Sequence, residues 1–135
     1  MITPSFYSTL VFFHILGVTV WLGGQIILSA VVPRLRKEAP TAIKIVAQQY
    51  ANIAWPALVL IVITGIFQLA TQTSTEMSTE YMITFALKMT LVAVAIASTI
   101  IHSAGTSKMA LAIGGAFGLL GTLGAAYLGV LLALG

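Results

Sequence analysis

The stretch "SFYSTLVFFHILGVTVWLGGQIILSAVV", residues 5–32, governs how the rest of the chain is read. A bilayer core takes about 20 apolar residues of helix, and this run exceeds that with His14 as its single basic side chain and no acidic one. Counting Ser5–Val32, four stretches qualify as spans; the others are Ala51–Ala70, Tyr81–Ala104 and Met109–Leu134. None alternates with the period of two that a spanning strand requires, and backbone polar groups in hydrocarbon must be satisfied internally, so the spans read as helices. The expected fold class is an all-α integral membrane protein. It is a four-transmembrane-helix bundle, one domain over residues 1–135, with the lipid bilayer as its surroundings.

Composition supports that reading. The chain has 135 residues, 59% hydrophobic and 7% charged, against about 25% charged in soluble domains. A water-soluble core of this size has no room for so much apolar surface. The net charge of +3 resides at span edges rather than along one face, so no nucleic-acid partner is expected. There are no cysteines, which excludes disulfides, thiolate metal sites and cysteine nucleophiles. The first span has no basic residue before it and is longer than a signal-peptide core, so it reads as a retained helix. No aspartate occurs in the chain and no glutamate lies within a span to orient His14. Hydrolytic catalysis therefore lacks its machinery, and the sequence leans away from an enzyme.

Orientation follows from the connections. The first, "PRLRKEAPTAIKIVAQQY", carries Arg34, Arg36, Lys37 and Lys44, and its second half is expected to start the next helix at Pro40, a favoured first-turn residue. The second carries Glu76 and Glu80 with no base, and the third carries Lys108. Five of the six basic residues thus lie on one side, the expected cytoplasmic side of a plasma (inner) membrane, with both termini outside. Pro56 removes one backbone donor from the second span. In the fourth, Gly114, Gly118, Gly121, Ala125 and Gly129 make a small-residue stripe. Such a stripe admits a close neighbour, either within the bundle or in a second subunit or larger membrane complex.

The intramembrane polar residues carry the functional signal. At the α-helical rise, His14 lies about 14 Å and Lys88 about 10 Å below the outer end of their spans. Thr64 and Gln68 on the second span and Tyr127 on the fourth fall in the same outer half. Ionisable residues in spans usually face the bundle interior and mark a site. Lys88 has two readings, snorkelling to the interface or a buried role. His14 reads either as a neutral imidazole bonded to a hydroxyl or carbonyl, or as a ligand. His14, Gly17, Trp21, Gly24 and Leu28 share one seam of the first span, where Trp21 lines a cofactor pocket or fills space. His102 falls about 31 Å from the outer end. It reads as a solvated interfacial residue, or as part of a second, inner site with Gln25 and Asn52 near its level. Met1, Met77, Met82 and Met89 fall in the outward half and Met109 on the cytoplasmic side; thioether with imidazole suits Cu(I), though methionine is also a common filler.

"HILGVTVWLGGQ" resembles the H-x6-W-x-G-G signature of the copper-resistance protein D (CopD) family. "VVPRLRKE", "VLIVITGIF" and "YMITFALKMTLV" resemble the segments that follow in that family, up to about residue 100. The resemblance implies a plasma-membrane module for copper uptake or tolerance and carries over His14, Trp21 and Lys88. Many family members have further spans. The chain also resembles, more distantly, the HemJ-like membrane oxidases of haem synthesis, which pair a first-helix histidine and nearby tryptophan with a third-helix lysine and bind haem b. Ala30 stands near the place of that family's arginine-rich helix end.

Three functions follow as expectations. The first is copper handling, with His14, Met82 and Met89 as metal ligands. The second is a b-type haem protein with His14 as axial ligand, Lys88 as second ligand or propionate partner, and Trp21 and Tyr127 lining the pocket. The third is an accessory subunit that docks through the fourth helix. The orientation itself is testable. Single cysteines at Ser74 and Ala42 should label from opposite faces of intact cells, and labelling of both from outside would contradict it.

Overall fold

The computed structural model describes residues 3–72 and 77–135. The expectations for Met1, Ser74 and Glu76 concern residues outside these. Among the described residues there are four helices and no strand: α1 (Phe6–Glu38), α2 (Ala42–Gln72), α3 (Thr79–Ala104) and α4 (Lys108–Leu134). All four are long and apolar enough to cross a membrane, and in each the most apolar stretch is only 11–17% buried within the chain. The chain is a multi-pass membrane protein. It divides into two compact units, Met1–Thr75 and Glu76–Gly135, each a helical hairpin.

Serines open three of the helices, because the first turn's amides lack partners within the helix. Ser5 caps α1 in a reciprocal box: its hydroxyl accepts from the Ser8 amide at 3.0 Å, and the Ser8 hydroxyl accepts from the Ser5 amide at 2.8 Å. Ser78 and Ser107 cap α3 and α4, each hydroxyl accepting an amide at 3.1 Å.

One boundary departs from expectation. Instead of stopping at Val32, α1 runs through Pro33 to Glu38, and Pro40 sits in the turn before α2 rather than in its first helical turn. The seam explains the extension. Leu28, Val32, Leu35 and Ala39 are half-buried at the same three- and four-residue steps as Trp21 and Gly24, so the buried face continues past the hydrophobic run. Arg36 and Lys37 lie in the last turn, where the carbonyl end of the helix dipole favours cations. Arg34 donates to Glu38 at 2.9 Å, an exposed pair that adds little. A helix of 33 residues is about 50 Å long, longer than a bilayer core of about 30 Å, so its basic end projects beyond the apolar layer.

In the first hairpin, α1 and α2 meet where α1 has no side chain. A Cβ at Gly17 would fall 3.1 Å from the Ala57 carbonyl, and one at Gly24 would collide with the edge of the Tyr50 ring at Cε2. The Tyr50 hydroxyl donates to the Trp21 carbonyl at 2.7 Å. Trp21 is buried and meets Trp55 edge to face, with centroids 6.1 Å apart. In the second hairpin the small-residue stripe of α4 packs on α3. Gly121 lies beside the Leu91 carbonyl and Ala95, and Gly114 beside the Ser98 carbonyl and His102.

Adjacent glycines on α1 should therefore respond oppositely. Nothing lies within 4 Å of a Cβ at Gly23, so Gly23→Ala should leave thermal unfolding in detergent unchanged or raised. Gly24→Val collides with Tyr50 and should destabilise by about 1–3 kcal/mol, the usual cost of overpacking. Equal effects at the two positions would contradict the seam.

Candidate functional site around His14

His14 sits in the third turn of α1, half-buried against α2. Its Nδ1 is 3.0 Å from the Ile61 carbonyl oxygen and 3.0 Å from Thr64 Oγ1. The Thr64 hydroxyl donates to the Leu60 carbonyl at 2.6 Å, so it meets the imidazole as an acceptor. Both partners of Nδ1 are thus acceptors. The Nδ1 atom carries the proton, and in the neutral ring the lone pair is on Nε2.

Gly65 makes this arrangement possible. In a helix the Cα–Cβ bond tilts toward the N-terminus, so a side chain at position i+4 covers the carbonyl of residue i. Position i+4 from Ile61 is Gly65, and a Cβ there would lie 3.3 Å from His14 Cε1 and 3.7 Å from Nδ1. The imidazole turns its Nδ1–Cε1 edge onto bare α2 backbone.

Polar side chains continue along this face of α2 at four-residue steps. Thr64 meets His14, and Gln72 donates to the Tyr7 hydroxyl at 2.9 Å. Between them lies Gln68, whose Nε2 is buried with no hydrogen-bond partner among the described residues. A buried amide nitrogen in that state is costly, and ordered water is the usual remedy.

The remaining expected site residues distribute as follows. Trp21 is a packing residue of the α1–α2 seam, two turns along from His14 and 4% exposed. Lys88 belongs to the second hairpin, half-buried, with Nζ lying 3.4 Å from where a Cβ on Gly129 would be. Its stem lies across the α4 backbone. Among the described residues the one ion pair is Arg34–Glu38, so no carboxylate neutralises the Lys88 amine there. Tyr127 is 64% exposed, and Met82 and Met89 are 59% and 47% exposed on α3. Among the described residues no group of three or more histidine, cysteine or carboxylate side chains comes together as a metal site.

His102 is exposed, and Gly114 and Gly115 bring α4 against it. Its Nδ1 lies 2.7 Å from the Leu111 carbonyl oxygen. Sequence reasoning had no means of finding that carbonyl, or that of Ile61. The legible signal was the glycine beneath each ring.

Comparison with protein-family models, with curated proteins and with solved structures returns no match.

The His14–Thr64 contact can be weighed by a double-mutant cycle. Thr64→Val keeps the shape and removes one acceptor, which should cost about 0.5–1.5 kcal/mol of stability in detergent. In a His14→Leu background the same change should cost less, because only the bond from Thr64 to the Leu60 carbonyl is then lost. Equal costs in both backgrounds would show that the two side chains do not interact.

Proposed function

We propose that this protein is a copper-handling protein of the plasma membrane, similar to the CopD type, in which His14 Nε2 ligates Cu(I) as cargo near the outer face. The observation that supports it is the pair of acceptors on His14 Nδ1, the Ile61 carbonyl and the Thr64 hydroxyl, each at 3.0 Å. Metal-binding histidines characteristically donate their other ring N–H to a carbonyl or carboxylate, which orients the ring and raises its basicity, and His14 has this arrangement. Imidazole with thioether is a donor set suited to a soft monovalent ion, and the exposed Met82 and Met89 supply thioethers on α3. On this reading both termini face outward, with the basic residues of α1, Lys44 and Lys108 on the cytoplasmic side. The small-residue stripe of α4 serves packing on α3 first, and any homo-oligomer or larger complex uses what that hairpin leaves uncovered.

A b-type haem is the second reading, favoured by the same imidazole and by the amine of Lys88. A haem iron is held by one or two side chains rather than a ligand cluster, and the imidazole of His14 would be one of them. Lys88 would serve as second ligand or as partner for a propionate. Bound haem would supply redox chemistry, while the chain would orient one ligand and hold the group among apolar side chains.

Purified protein separates the two. Copper analysis after Cu(I) loading and the visible absorption spectrum should show copper and no haem band. Met82→Leu with Met89→Leu should lower copper affinity at unchanged folded yield, because leucine nearly conserves volume. His14→Ala should abolish copper binding, and Lys88→Leu should not. A haem band lost in both His14→Ala and Lys88→Leu would establish the second reading instead, and copper binding indifferent to His14 would refute the first.

A further inference from the structure

The chain has two histidines, and both are held by one device. His14 directs Nδ1 to the carbonyl of Ile61, with Gly65, four residues on, beneath the ring. His102 directs Nδ1 to the carbonyl of Leu111, with Gly115, again four residues on, beneath the ring. The close distances agree as well. A Cβ at Gly65 would lie 3.3 Å from His14 Cε1, and one at Gly115 would lie 3.4 Å from His102 Cε1. The same physical reason applies in both hairpins: a side chain at the fourth position would cover the carbonyl that the imidazole uses.

A carbonyl oxygen only accepts, so His102 also carries its proton on Nδ1 and its lone pair on Nε2. A histidine that is merely solvated at a helix end requires no particular tautomer. At His102 the tautomer is imposed by a 2.7 Å bond, which the adjacent glycines 114 and 115 permit. The side chain remains exposed, in the last turn of α3. The facing turn of α4 offers the exposed thioether of Met109, a soft donor at the same end of the hairpin.

We propose that His102 is a second metal-ligating histidine, presenting Nε2 to a soft monovalent ion at the α3–α4 connection, separately from the His14 site. The class of ion rests on the function proposed above, whereas the geometry of His102 does not. Two such sites in a membrane protein that handles Cu(I) would give the ion a docking point near each face. His14 lies in the first third of α1, and His102 lies in the last turn of α3.

Nitrogen NMR on 15N-histidine-labelled full-length protein in micelles tests this directly, because only two imidazoles contribute. Ag(I), a soft d10 ion of the same charge as Cu(I), is the probe, titrated in the presence of excess free imidazole. Single variants His14→Gln and His102→Gln assign the signals; if either fails to fold, the wild-type spectrum still reports how many rings respond. The expected result is two rings protonated on Nδ1, with both Nε2 resonances shifted by Ag(I) and both Nδ1 protons retained. Gly115→Val should weaken the His102 response by about 10- to 100-fold, the usual cost of losing an orienting partner, without changing the His14 response. A His102 ring protonated on Nε2, or one whose signal is unmoved while His14 responds, would overturn this proposal and leave the His14 reading intact. A response of His102 alone would support it and refute the His14 reading. No response from either would remove both.

Discussion

In hydrocarbon a polar group has no water to fall back on, and two apolar helices gain nothing from hiding their side chains from lipid. Helices in a bilayer must be joined by close backbone approach and by the polar bonds that such approach permits. Both hairpins meet this constraint with glycine. Gly17 and Gly24 let α2 lie on α1, so that the Tyr50 hydroxyl reaches the Trp21 carbonyl. Gly65 bares the Ile61 carbonyl to His14, and Gly115 bares that of Leu111 to His102. The consequences for chemistry follow from packing: with Nδ1 donating to a backbone carbonyl, the lone pair of each neutral ring is on Nε2.

Much of the fold was legible in the sequence, because hydrophobic length and the absence of alternation are physical requirements of spanning. The small-residue stripe of α4 was legible too, and it packs on α3. What could not be read was the extension of α1 through Pro33 to Glu38. Hydropathy ends at Val32, but the half-buried face goes on through Leu35 and Ala39, and periodicity past the apolar run is the signal that carries it. For the site, counting residues placed His14 and Thr64 at one level, and they touch. The same count puts Lys88 and Tyr127 in that outer-half layer, and within its own hairpin the end of the Lys88 side chain lies beside Gly129. The acceptors of both histidines are main-chain oxygens, which no side-chain pattern announces.

Copper and haem make different demands on the same imidazole. Cu(I) is satisfied by a few soft donors and passes from one donor set to another, which suits a protein whose described residues form no dense ligand cluster. Haem would draw on Lys88 as well as His14 and would have to find its apolar pocket among side chains that otherwise serve the bilayer. The polar face formed by Thr64, Gln68 and Gln72 leads along α2 from its C-terminal end toward His14, and the buried Gln68 amide gives water a place on that face.

X-ray absorption at the copper edge, recorded on protein loaded with Cu(I), addresses the central claim that His14 is a ligand held ready by α2. The account predicts a low-coordinate site with imidazole and sulfur scatterers, the imidazole contribution falling when His14 is replaced by glutamine and the sulfur contribution when Met82 and Met89 become leucine. A copper environment unchanged by His14→Gln, in protein of normal folded yield, would contradict it.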